Sequence, residues 1–332
     1  MKSILITGVA GLLGSRMADW IIENHPEYEV VGIDNLFGGY IENVNEKVIF
    51  YKRELGEDDI SDIFAKHQFE YVYHFAAYAA EGLSYFMPVF NDRNNMLSTD
   101  NIIKECVKHN VKRLIYTSSM AVYGEGVKNG ELFDENDRPH PVDPYGMSKY
   151  ACERNIEIIG NHFGLDWCII RPHNVYGIKQ NIWDKYRNVL GIWMYQILNN
   201  KPMLIYGDGE QTRAFSYIDD CLECFWNAAV REEASKQIVN VGGEVPYTIN
   251  EAAQILCDIT GYDNVRHEEA RHEVKHAVPT SQKSKDILGY KQTTGLKEGL
   301  TKMWEWVKTQ PTRGQYKWEN YEIEKGIYSY WK

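Results

Sequence analysis

The sequence predicts an α/β protein, a doubly wound parallel sheet with a smaller, interleaved second domain. Three observations carry this. Short apolar runs alternate with longer amphipathic stretches through the first half of the chain, the pattern of strand–helix–strand units. Most of the runs lack polar–apolar alternation, as strands covered on both faces do. After Arg171 the rhythm changes and Gly, Asn, Tyr and Trp become frequent.

Ser3–Thr7, Glu29–Ile33, Val48–Tyr51, Tyr71–Phe75, Arg113–Thr117 and Trp167–Arg171 read as strands, each β-branched or aromatic-rich. Between them, Leu12–Asn24, Asp58–His67, Asn94–Asn110 and Tyr145–Phe163 read as helices. Right-handed crossovers then put helices on both faces of the sheet. Residues 1–172 form the first domain, with a contribution from about 210–240, and residues 173–332 the second. In the second, helical stretches return near Asn188–Asn199, Asp219–Arg231, Asn250–Gly261 and Leu296–Lys308. The tail from Pro311 is rich in Tyr and Trp, too aromatic for a solvated extension, and is expected to pack back on the body.

The chain has 332 residues, 44% hydrophobic and 25% charged, as ordinary globular proteins do. Its 36 Lys+Arg against 47 Asp+Glu leave a net charge of −11, which opposes binding to a nucleic-acid backbone. No apolar run is long enough to cross a membrane. The apolar N-terminus has no small-residue cleavage pattern after it, so it reads as a buried strand and the protein as cytoplasmic. Cys106, Cys152, Cys168, Cys221, Cys224 and Cys257 are scattered through predicted helices and strands. Cys221 and Cys224 have a metal-like spacing but no second pair to complete four ligands, so no metal is expected.

Chemistry begins at Thr7-Gly8-Val9-Ala10-Gly11-Leu12-Leu13-Gly14, between the first strand and the first helix. An acid, Asp34, follows 20 residues after Gly14 at the end of the second strand. That context is the one a dinucleotide site requires. Gly8 permits the tight turn, Gly11 admits the pyrophosphate, and Gly14 lets helix pack on strand. The helix N-terminus turns partial positive charge to the phosphates. Asp34 would accept from both ribose hydroxyls and repel a 2′-phosphate, which favours NAD over NADP.

Tyr145 and Lys149 stand at i, i+4 on a helix that follows Pro144, and so share a face. A phenol of pKa about 10 needs about 4–5 kcal/mol to become a base near neutral pH. One cation at ~5 Å supplies roughly 3 kcal/mol at an effective dielectric of 20. Lys149 and an oxidised nicotinamide together would suffice. Upstream, Thr117-Ser118-Ser119 ends a strand, where ligands of open α/β sheets bind.

Taken together, the glycine loop, Asp34, His74-Phe75-Ala76-Ala77, Thr117-Ser118-Ser119 and Tyr145/Lys149 resemble the NAD-dependent epimerase/dehydratase family, the extended short-chain dehydrogenases. Asn95, Arg171-Pro172-His173-Asn174, Tyr206-Gly207-Asp208-Gly209 and Arg213 through Asp220 extend the likeness along almost the whole chain. The resemblance implies a Rossmann-type fold and bound NAD. For the cofactor it points to Gly8, Gly11, Leu12, Leu13, Gly14, Asp34, Asn35, Glu54, Leu55, Phe75, Ala76, Ala77, Asn95, Tyr145, Lys149 and Pro172. It implies a nucleotide-diphosphate sugar as substrate, met by Ser119, Tyr145, Asn174, Tyr206, Arg213 and Arg271. The catalytic set it implies is Ser119, Tyr145 and Lys149. A homodimer through Asn94–Asn110 and Lys149–Gly160 is implied as well. Ala79 departs from the family pattern, since 4-epimerases often carry Lys there.

Every reaction in the family would begin by oxidising the sugar at C4. Dehydratases resemble one another in an Asp-Glu pair after the catalytic hydroxyl, decarboxylases carry a Glu in that stretch and 3,5-epimerases a Cys; Met120 and Ala121 stand here instead. That leaves the reaction needing only Tyr, Ser and NAD, a 4-epimerisation through a transient 4-keto sugar. The alternatives are another NAD-dependent epimerase, dehydratase or dehydrogenase of nucleotide sugars, and a non-catalytic NAD-binding regulatory module.

Overall fold

The computed structural model describes residues 2–124, 132–270, 274–328 and 331. Six strands of its central sheet come from the first half of the chain: β1 (Lys2–Thr7), β2 (Tyr28–Asp34), β3 (Ile49–Lys52), β4 (Phe69–His74), β5 (Arg113–Thr117) and β6 (Asp166–Pro172). A seventh, Gln237–Val241, closes one edge beside β6. The order runs Gln237–Val241, β6, β5, β4, β1, β2, β3, with every pairing parallel. The chain therefore works outward from β1 to β3, then returns to β4 on the other side of β1. A crevice opens at such a reversal, at the carboxyl ends of β1 and β4.

Successive residues of β1 divide the core. Ile4 and Ile6 pack with Met17 and Ile21 of α1 (Leu12–Asn24) and with Leu222 and Phe225 of the Ile218–Val230 helix. Leu5 points the other way, toward Phe64, Ile102, Ile103, Cys106 and Ile156. Helices on both faces explain why the strands read as unbroken apolar runs. A separate core of Tyr176, Trp193, Met194, Ile205, Leu256, Leu300 and Met303 holds the C-terminal part together.

The expected strands and helices are present, with boundaries moved by a few residues. The Asn94–Asn110 helix is continuous from Pro88 to Lys108 but carries a π-turn at Arg93–Leu97. Gln237–Val241 was not expected as a strand. It has five residues between Lys236, at φ +56°, and Gly242, too short to show a period. The aromatic tail does pack back: Trp331 is buried against Phe86 and Tyr186, with ring centroids 5.7 and 4.9 Å away. Cys221 and Cys224 lie buried in the Ile218–Val230 helix, where burial pushes both thiols up.

Candidate active site

A cavity of about 790 Å³ opens at the β1/β4 crevice and runs into the C-terminal core. Its floor is the glycine loop. Gly8 has φ +70°, a conformation that costs other residues strain. Its amide donates to Ile33 O at 2.8 Å, tying the loop to β2. At Gly14 an added Cβ would collide with the Gly8 carbonyl, so helix and turn touch backbone to backbone. Gly11 caps α1 with no side chain, and Leu12 and Leu13 line the cavity behind it. First-turn amides of a helix without a side-chain cap are an anion site.

Asp34 ends β2 at the cavity wall. Burial raises its pKa, opposed by amide hydrogen bonds from Ala10 (2.9 Å) and Leu36 (2.7 Å). Beside it, Asn35 Nδ2 donates to Glu54 Oε2 at 2.6 Å, with Leu55 behind. This closes the end of the cleft toward β3. Phe75, Ala76 and Ala77 follow β4 along the rim.

His74 stands beneath that rim and reaches no ligand space. Thr99 Oγ1 donates to Asn95 O (2.6 Å), so it accepts from His74 Nε2 (3.0 Å). Thr7 Oγ1 accepts from Ala76 N (3.2 Å) and donates to His74 Nδ1 (2.7 Å). Burial, with Lys149 nearby, lowers the imidazole to about 3, so it is a neutral peg between β1 and the Ser98–Lys108 helix that follows the π-turn. Asn95, expected at the cofactor, is held by hydrogen bonds beneath the same rim. It is buried, does not line the cavity, and spends its side chain on Tyr78 N (3.0 Å) and Asn91 Oδ1 (2.9 Å). It supports the loop that carries the rim.

Tyr145 opens the Pro144–Phe163 helix. Pro144 takes the first helical position and Asp143 caps it, accepting from Gly146 N at 2.7 Å. The Tyr145 amide donates to Ser84 Oγ at 3.1 Å. Burial raises the phenol's pKa, and Glu81 and Asp143 add to this; Ser119 and Arg187 oppose it. Ser119 ends the strand–turn after β5, its Oγ accepting from Ala121 N at 3.1 Å. Lys149 lies one turn after Tyr145, with Nζ donating to Thr117 O at 2.7 Å and standing 4.8 Å from the Tyr116 ring centre. Burial pulls its pKa down to about 8.

On the far wall, Pro172 ends β6 and Asn174 follows it. Asn174 adopts φ +38° and donates from Nδ2 to Ala214 O at 3.1 Å. Tyr206 and Arg213 also line the cavity, Arg213 donating to Thr212 O at 2.9 Å. Arg271 lies outside the described residues.

Among the lining groups that sequence reading missed, three bear on the chemistry or the shape of the cleft. Glu81 opens a short helix after β4, Arg187 precedes the Val189–Leu198 helix, and Trp331 comes from the tail. None belongs to a local pattern. Only the departure from solvated-tail composition hinted at Trp331.

A model of the NAD dependent epimerase/dehydratase family matches residues 4–242. The chain is similar to a Thermotoga maritima UDP-glucose 4-epimerase solved with UDP-glucose, at 32% identity and TM-score 0.87, covering 92% of this chain and 98% of that one. It is similar to a UDP-N-acetylglucosamine 4-epimerase of Methanobrevibacter ruminantium in complex with UDP-N-acetylmuramic acid (29%, TM-score 0.86, 93% and 99% covered). A Thermus thermophilus UDP-glucose 4-epimerase in complex with NAD is similar at 28% identity and TM-score 0.86, with 92% and 99% covered.

Proposed function

The chain belongs to the NAD dependent epimerase/dehydratase family, and on that premise we propose that it is a nucleotide-sugar 4-epimerase with a UDP-hexose-type substrate. The observation that carries the reading is one cleft lined by the glycine loop, Asp34, Ser119, Tyr145 and Lys149 together. No Asp, Glu or Cys stands at Met120 or Ala121 to divert the chemistry. The residues fit NAD. At Gly8 and Gly14 there is no room for a side chain, the α1 amides suit a pyrophosphate, and Asp34 stands where a ribose diol would meet it. When bound, NAD supplies the site that takes hydride from C4 and returns it.

The chain's own residues manage the proton. Tyr145 accepts it from the C4 hydroxyl and gives it back, and Ser119 holds the C4 oxygen. Burial alone would keep the phenol protonated. Positive charge in the cleft decides whether it can serve as a base, and Lys149 is held one turn away for that purpose. Asn174, Tyr206, Arg213 and Arg271 take the nucleotide-diphosphate end, where the planar, always-charged guanidinium suits phosphate oxygens.

A UDP-hexose deuterated at C4, turned over in ordinary water, tests the reading. The expected product keeps its label at C4. Loss of that label, or solvent hydrogen at C3 or C5, sinks the assignment.

The protein pairs with a second copy through the Ser98–Lys108 and Pro144–Phe163 helices. Leu97, Met147, Ile158 and Phe163 support this, standing 48–62% exposed on or beside them. Ile103, Cys106 and Ile156 of the same helices do not face that contact and are buried in the core beneath the sheet. A monomer mass in light scattering at micromolar concentration would rule the pairing out. The compartment is the cytoplasm, a reading supported by six free, buried cysteines. Among the described residues no helix is long and apolar enough to cross a membrane.

A further inference from the structure

Two facing segments of the cleft meet at a point that neither the glycine loop nor the catalytic helix explains. Gly39 sits on the glycine loop, so close that an added Cβ would come within 2.8 Å of Gly11 N. Tyr40 N donates to Ala10 O at 3.2 Å and fastens the strap there. Its neighbour Gly38 sits on Arg187, where an added Cβ would collide with Nη2. The strap thus joins the phosphate-binding turn to a guanidinium that lines the same cavity.

That guanidinium is held in place. Arg187 Nε donates to Asp184 Oδ2 at 3.0 Å, and the group lies 4.5 Å from the centre of the Tyr78 ring. Asp184 is buried and fixed in turn by Tyr78 Oη and Tyr186 N, each at 3.0 Å. The charge of Arg187 favours ionisation of both Asp34 and Tyr145. Among the described residues the other cations of the cleft have partners of their own: Lys149, Lys185, Arg53 and Arg213 donate to the carbonyls of Thr117, Trp331, Lys52 and Thr212, and Lys201 lies over the Tyr195 ring.

We propose that Arg187 is the cation that holds the diphosphate of the bound dinucleotide, across the Gly38–Gly39 strap from the glycine loop. A diphosphate carries two negative charges into a cleft that already holds Asp34 and Glu54. The α1 terminus answers with about half an elementary charge. A forked guanidinium adds a full one and can bond phosphate oxygens in pairs. Asp184 and Tyr78 have already ordered it, so little entropy is lost on binding. The proposal rests on the reading of the cleft as an NAD site.

Calorimetric titration of cofactor-stripped protein with NAD, and separately with adenosine, tests it. Wild-type protein that failed to bind NAD would remove the NAD reading itself, which keeps that failure separate. Arg187→Gln is expected to weaken NAD about ten- to a hundredfold, the loss of charge-assisted phosphate bonds, with adenosine binding unchanged. Arg187→Lys keeps the charge and the pairing with Asp184 but loses the fork, and should show a smaller loss for NAD alone. Should Arg187→Gln lose adenosine too, the Lys variant decides. Wild-type NAD affinity in either variant overturns the proposal. So does loss of UDP binding with NAD untouched, which would give Arg187 to the substrate's diphosphate.

Discussion

Replacing Tyr145 by Phe leaves the fold and bound NAD intact and lowers turnover by ~10²–10⁴-fold. The ring is almost wholly buried at the start of its helix, so Phe fills the same volume and the packing survives. Only the hydroxyl is lost, and with it the group that takes the C4 proton. A companion variant separates tuning from transfer. Lys149→Met keeps the phenol but removes a cation that favours its ionised form, so the phenol's pKa rises and activity moves to more alkaline pH. Tyr145→Phe shows no such recovery at any pH. Retention of NAD is read by denaturing the purified variant and measuring the released dinucleotide. Turnover within about tenfold of wild type would move the proton to another group. Glu81, the carboxylate acting most strongly on the phenol, would be the first candidate.

How far the sequence could show this site depended on whether each part is local. The glycine loop and the Tyr145/Lys149 pair are set by spacings within one turn or helix, Asp34 by its distance from the loop along one strand–helix–strand unit, and each is legible as written. The sheet follows because strands covered on both faces must be apolar throughout. Arg187 was not legible. It stands in an irregular connection before the Val189–Leu198 helix, and its meaning comes from Gly38 and Tyr78, more than a hundred residues earlier. The surroundings of Asn95 were not legible for a related reason. Spacing can put it under the rim, but only packing shows that the π-turn points its amide at Tyr78 rather than into the cleft. Glu153 shows the same limit in the catalytic helix. At i+4 from Lys149, spacing alone would pair the two, but the carboxylate turns to Arg171.

That pair is the second place where one substitution has a large effect. Glu153 and Arg171 are each no more than 2% exposed. Arg171 Nε and Nη2 donate to the two carboxylate oxygens at 2.9 and 2.7 Å, and Ser118 Oγ donates to Oε1 at 2.5 Å. Nη1 of the arginine donates to Tyr123 Oη at 2.7 Å, which donates to Asn240 Oδ1 at 2.8 Å. The network therefore ties β5, β6, the edge strand Gln237–Val241 and the helix of Tyr145 behind Ser119. Glu153→Gln leaves the shape unchanged but strands the arginine's charge in a dry interior. Removing one partner of such a pair costs about 3–5 kcal/mol. Urea denaturation of the variant should show a loss of that size. Adding Arg171→Met should recover most of it, because neither charge is then buried. The double variant separates charge from packing. If Glu153→Gln costs less than about 1 kcal/mol, or if the second substitution deepens the loss, the network holds the site by shape and not by its ion pair.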